Sequence, residues 1–185
     1  MSEALEAWAR RVLASTPELP SQRLRHSAGV ARRAAAASRA LLAPPEAELV
    51  RAAAWLHDIG YAPGLVETSC HAIDGARHLQ RLAAPDTLVG LVAYHSGAEH
   101  EAAQRQLGEE LAEFPRPPEH LLDLLTYADM TVDISGLTTT VGNRLDGILD
   151  RYASGDPVHV SVNSARTDLV ATVTLVDTRL AAGGK

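Results

Sequence analysis

A histidine followed directly by an aspartate, His57–Asp58, closes the most apolar stretch of the chain, LVRAAAWLHDIG. An ionised carboxylate beside a buried run is costly unless it is paired or bound to metal. Together the two side chains offer one imidazole nitrogen and up to two carboxylate oxygens, a donor set suited to Fe, Mn, Zn, Co or Ni. Successive residues of a regular helix point about 100° apart. Both can therefore turn towards one ion most easily where the helix ends, and Gly60 is placed to permit that. The bare dipeptide also has a plainer reading, with His57 at a helix C-terminus and Asp58 capping the loop.

Two residues elsewhere strengthen the metal reading. His26 lies in RHSAGVARRA, one helical turn before Val30, and can share its core-facing side. Asp129 ends an apolar run in LLTYADMTVD, where a buried carboxylate needs a cation or several donors. Histidine, His–Asp and aspartate on three separate helices make a four-ligand set that leaves coordination positions open for water and substrate. His71, opening HAIDGARHL, and His95, closing LVAYHSG, are further candidates; each could instead sit at a helix terminus without metal. His78 follows His71 by about two turns and is read as a non-ligand, while His100, His120 and His159 are read as solvated. Arg23, one turn before His26, and Arg77, on the helix that starts with His71, are candidate phosphate contacts. The alternative for each is a solvated surface position, which is also the reading for Arg32–Arg33.

The elements that must position these residues are helices. Leu5, Trp8, Val12 and Leu13 share a face over residues 2–15, and Pro17 and Pro20 stop that helix. Ser21 is an N-cap candidate for a second helix running to about Leu42, and Pro44–Pro45 make the next break. A third helix over 46–58 is apolar nearly all round, as at the middle of a domain. Ser69 can cap a helix over 70–83, and Asp86 one that ends near Tyr94–His95. Residues 96–118 read as one short helix flanked by loops, 118–132 as a long helix, and 140–153 as another. The last segment is β-branched, but Leu169, Val173, Leu175 and Leu180 can share a helical face. No strands joined by turn signals, repeats or linkers are visible. The expectation is one all-α domain over 1–185, its core at about 20–150, with an N-terminal helix and a C-terminal helical extension.

Composition narrows the partners. The chain has 185 residues and a formal net charge of −6, so a duplex nucleic acid, which needs a Lys/Arg face, is not expected. Aromatics are only 4 %, so the core must rest on Leu, Ala and Val, which favours helices. A single cysteine, Cys70, excludes an intramolecular disulfide. The N-terminus lacks the apolar run of a signal peptide, and no stretch approaches the ~20 residues of a membrane span. A cytoplasmic location without membrane contact is the expectation. The Ala- and Leu-rich helical surface is compatible with a homodimer.

The ordered pattern His26, His57–Asp58, Asp129 resembles the HD superfamily of metal-dependent phosphohydrolases, whose signature is H…HD…D, over about residues 20–150. Among its members, His71 with Gly75–Ala76 and the turn Tyr94–His95–Ser96–Gly97 look like features of the bacterial symmetrical diadenosine tetraphosphate hydrolases. The resemblance implies an HD-type helical bundle. It implies Asp58 bridging two divalent ions (Fe, Mn, Co, Ni or Zn, with Mg a further candidate), or one ion in simpler members. His26, His57 and Asp129 would hold one ion, and His71 and His95 the other. It implies hydrolysis of a small phosphorylated compound, a nucleotide or dinucleoside polyphosphate, by attack of metal-bound hydroxide, with His57 and Asp58 at the catalytic centre. Two departures bear on substrate. The lysine that often follows HDIG is Tyr61 here, and the Pro-Gly-Arg element of the look-alikes is missing after Asp129, leaving Arg144 as a substitute candidate. Other readings are a 5′-nucleotidase-type phosphomonoesterase, a metal-binding regulatory module without turnover, and a di-iron oxygenase on a similar helical cage.

Overall fold

The protein is described here by a computed structural model covering residues 4–183. Its regular elements are helices, and among the described residues the only β pairing is an isolated bridge between Val132 and Thr138. Helix α1 (Leu5–Ser15) leads into α2 (Ser21–Leu41) and α3 (Pro44–Leu56). The part of the first expected helix before residue 4 lies outside the described residues. Then come α4 (His71–Arg81), α5 (Asp86–Tyr94), α6 (Ala98–Gln104), α7 (Gly108–Ala112), α8 (Glu119–Met130), α9 (Val141–Leu149) and α10 (Pro157–Gly183).

Helix α3 is the axis of the bundle and packs against α1, α2, α5 and α8. Pro44 and Pro45 open it, where a missing N–H leaves no bond unmade. Val50, Ala52, Ala53, Ala54 and Leu56 are all fully buried, and the run of alanines lets neighbouring helices approach from several sides. The helix ends at Leu56, two residues before the sequence pattern suggests. His57 keeps helical dihedrals, and Asp58 leaves them with φ −97° and ψ 8°. The chain continues in 3₁₀ turns at Ile59–Tyr61 and Pro63–Leu65.

Gly60 turns out to serve packing more than helix termination. A Cβ at this position would stand 2.0 Å from the His71 carbonyl oxygen and 2.7 Å from the Gly75 amide nitrogen. The absence of a side chain lets the turn after Asp58 lie directly on the first turn of α4. Ser69 does not cap that turn, which carries no side-chain cap; Asp74 instead ties the preceding loop to α4. The Thr68 amide and hydroxyl both donate to the buried Asp74 carboxylate, at 2.9 and 2.8 Å, and Ser69 takes a left-handed φ of 64°.

Three further expectations are corrected. Residues 96–118 hold two short helices instead of one. Ser96 and Gly97, with φ of 51° and 75°, break α5 from α6, and the Tyr94 hydroxyl donates to the carbonyls of Leu111 and Phe114. The Arg32–Arg33 pair is not merely solvated: Arg32 donates to the Gly136 carbonyl, and Arg33 to Thr131 and the Tyr127 hydroxyl, tying the loop after α8 to α2. In α10 the buried line is Leu169, Val173 and Val176, with Leu180 half-buried, whereas Leu175 is 42 % exposed. At about 100° per residue, Leu175 falls roughly 120° off that line. A continuous core nevertheless runs from Ala9 of α1 to Val176 of α10.

Gly60→Ala is expected to lower stability by more than about 2 kcal/mol, since backbone must move to admit the methyl group. Urea unfolding followed by circular dichroism measures it. A loss below about 0.5 kcal/mol would mean that the turn yields without cost.

Candidate metal centre

Five helix ends and faces converge on one point. Helix α2 contributes His26, the end of α3 gives His57–Asp58, and the start of α4 gives His71. The residue after α5 is His95, and the last turn of α8 carries Asp129. His26 and His57 are fully buried, and Asp58, His95 and Asp129 are buried at 3–4 % exposure. Donor atoms of His26, His57 and Asp58 lie within 4.8 Å of one another, and so do those of Asp58, His71 and His95. Asp58 belongs to both groups. Asp129 joins the first, its Oδ1 2.9 Å from His26 Nε2 and 3.9 Å from His57 Nε2.

The histidines are aimed by backbone carbonyls. His57 Nδ1 donates to Ala54 O at 3.0 Å, His95 Nδ1 to Val92 O at 2.7 Å, and His26 Nδ1 to Asp133 O at 2.9 Å. With the Nδ1 proton so engaged, each Nε2 presents a lone pair to the centre. The third carbonyl comes from the loop after α8, which reaches α2 because Gly29 meets Gly136 there. A Cβ on Gly29 would lie 2.5 Å from the Gly136 oxygen.

The donor set fits a cation. His57 Nε2 is buried with no hydrogen-bond partner among the described residues. His26 Nε2 and Asp129 Oδ1 stand 2.9 Å apart and already share one positive neighbour, the Arg144 guanidinium. His71 Nε2 and His95 Nε2 face one another at 3.3 Å, the separation of two nitrogens each about 2.0–2.1 Å from one ion. Burial lowers the His57 imidazole to about 4, against the opposing pull of Asp58 and Asp129. It lowers His71 too, with His95 adding to the effect. Both rings are thus neutral and able to ligate near pH 7. Burial alone would raise the two carboxyls. Arg23, then the neighbouring histidines, outweigh it at Asp58, and Arg144 does so at Asp129, so both are held well below the usual carboxylate range.

A surrounding layer holds the donors in place. The Ser96 hydroxyl donates to Asp129 Oδ2 at 2.6 Å. Glu101 Oε2 stands 3.7 Å from His71 Nδ1, and its other oxygen accepts from Arg105 at 2.8 Å. Tyr61 stacks on His71, ring centroids 4.2 Å apart, and carries the Arg23 guanidinium 3.7 Å from its ring centroid. Arg23 Nη1 in turn donates to Asp58 Oδ2 at 3.0 Å. Arg144 Nη2 lies 3.0 Å from both Asp129 Oδ1 and His26 Nε2.

Of these residues, Arg23, Asp58, Tyr61, His71, His95, Ser96, Glu101, Asp129 and Arg144 line a cleft whose other wall is α10, through Val158, Val162, Ala165 and Leu169, while His26 and His57 are fully buried. The structure brings together His26, His57, Asp58, His71, His95, Asp129 and Arg23, but not Arg77. That arginine points away from the cleft, with Glu67 at 3.7 Å and Glu113 at 3.6 Å. Glu101 and Ser96 escaped the sequence reading. Glu101 has Arg105 four residues on, which looks like a solvated helix pair, and nothing local marks it as buried. Ser96 sits in a turn whose left-handed backbone is invisible in its residue type.

Against known families, a model described as the HD domain matches residues 23–131, well over half of the chain. No curated protein and no solved structure matches.

Asp58→Ala is expected to reduce bound metal to background, because both donor groups lose their shared member. His71→Ala and His95→Ala should each lower stoichiometry from two towards one. Elemental analysis of purified protein measures all three. Full metal content in the Asp58 variant would place the metal elsewhere, and unchanged stoichiometry in both histidine variants would leave a mononuclear centre.

Proposed function

Because the chain belongs to the HD domain family, a superfamily of metal-dependent phosphohydrolases, we propose that it hydrolyses a small phosphorylated compound, a nucleotide or dinucleoside polyphosphate, at this centre. The observation that carries the reading is Asp58, shared between two histidine-bearing donor groups on the floor of an open cleft. One or two divalent ions, drawn from Fe, Mn, Co, Ni, Zn or Mg, would be held by His26, His57, Asp58 and Asp129 and by Asp58, His71 and His95. Such ions activate water as the nucleophile and neutralise charge that builds on phosphorus.

The chain's own residues supply the rest. Arg23 keeps one Nη on Asp58 and has further N–H groups for phosphate oxygens. Its place over Tyr61 answers the missing lysine after HDIG: the cation comes from α2 and is carried on the ring at that position. Ser96 and Arg144 orient Asp129 from opposite oxygens, and Glu101 stands behind His71 as a carboxylate–histidine pair. The apolar residues of α10 face the organic part of the substrate and keep bulk water from the reacting phosphate.

The test is a screen of dinucleoside polyphosphates and nucleoside monophosphates with Mn, Fe, Co and Mg, run beside metal analysis. Release of phosphate or nucleotide is expected, with loss to background in Asp58→Ala. Full metal loading without release from any substrate would favour a binding module, and substrate-dependent oxygen consumption would favour an oxygenase.

A further inference from the structure

Three arginines, Arg23, Arg144 and Arg151, line the cleft, and a fourth, Arg105, stands behind it, so the arginines outnumber the acids. Three acidic residues line it: Asp58, Glu101 and Asp129. Arg23 takes Asp58, Arg144 takes Asp129, and Glu101 is paired with Arg105. Arg151 also lines the cleft, and its side chain has no ion pair or hydrogen bond among the described residues. Partial burial, and then like charge from Arg144 and Arg23, disfavours its bare guanidinium. Arg144 is itself only partly used. It is 5 % exposed, and its Nε and Nη1 are buried without any partner while Nη2 reaches the metal-facing acceptors. A guanidinium buried with two unmet donors is costly, and an anion in the cleft would satisfy them.

Arg144 lies in α9 and Arg151 just past its end, seven residues on. Both line the same cleft. Arg144 touches the metal-facing donors, so an anion bound by this pair adjoins whatever the centre holds. Both arginines, and the apolar wall of α10, lie beyond the residues that the HD domain model matches.

On the phosphohydrolase reading, we infer that Arg144 and Arg151 form a second anion position beside the metal centre, which makes the substrate an organic diphosphate or longer polyphosphate. The first phosphate sits at the metal donors. The next one along the anhydride chain meets the free Nε and Nη1 of Arg144 and the fork of Arg151, and the organic group lies against α10. Selection between mono- and polyphosphates then belongs to the C-terminal third of the chain.

The probes are methylphosphonate and the non-hydrolysable methylenediphosphonate, titrated calorimetrically into the metal-loaded full chain, with metal content measured afterwards. Arg151→Gln is expected to weaken the diphosphonate about tenfold and the monophosphonate less than about twofold. Metal content and the thermal midpoint should be unchanged, and Arg151→Lys should recover part of the loss. Equal weakening of both probes, or of neither, overturns the second anion position and leaves the phosphohydrolase reading standing. Failure of the metal-loaded wild type to bind either probe overturns both.

Discussion

A carboxylate kept ionised at 3 % exposure is the constraint on which the rest of this structure turns. Asp58 has given up nearly all its water, so positive charge and polarised hydrogens must surround it. Arg23 approaches one oxygen from α2, and imidazole nitrogens approach from the ends or faces of three different helices. Only His57 adjoins Asp58 in sequence; Arg23 and His26 come from α2 and His71 from α4. The bundle therefore has to bring separate helix ends to one point, and the alanine-rich surface of α3 is what lets them come near enough. A divalent cation among these donors would complete the neutralisation that Arg23 begins.

Backbone contact supplies the accuracy. Histidine tautomers are set by carbonyls of Ala54, Val92 and Asp133, and the last is delivered by a loop lying on α2. The Gly29–Gly136 and Gly60–His71 approaches are two places where a side chain would force backbone apart. Both sit within a few residues of a donor, so glycine there sets the distance between ligands more than the flexibility of a turn.

The chemistry is divided between two parts of the chain. Residues 23–131, matched by the HD domain model, contain every histidine and carboxylate donor of the centre together with Arg23. The wall opposite comes from α9 and α10, which bring two arginines and an apolar strip. The donor cluster of the matched segment thus faces a wall built outside that segment, the two parts meeting chiefly where α10 packs on α8 and α6.

The all-helical character was legible in the sequence because Leu/Ala periodicity and proline breaks are local signals, and they located most helices to within a few residues. The donors His26, His57, Asp58 and Asp129 were legible for a related reason: polar ligands beside apolar runs violate the local pattern. Arg77 was misplaced because helix phase alone does not say which neighbour a long side chain meets; Glu67 and Glu113 lie within its reach and the cleft does not. The clamp of Arg32 and Arg33 on the 131–136 loop, the burial of Glu101 and the turn of Ser96 onto Asp129 depend on contacts across 30 to 104 residues of chain. Residue types and local spacing determined the helices and most of the donor set. Only tertiary packing decided which charges are buried together, because desolvation depends on what lies across the cleft and not on what lies next in the chain.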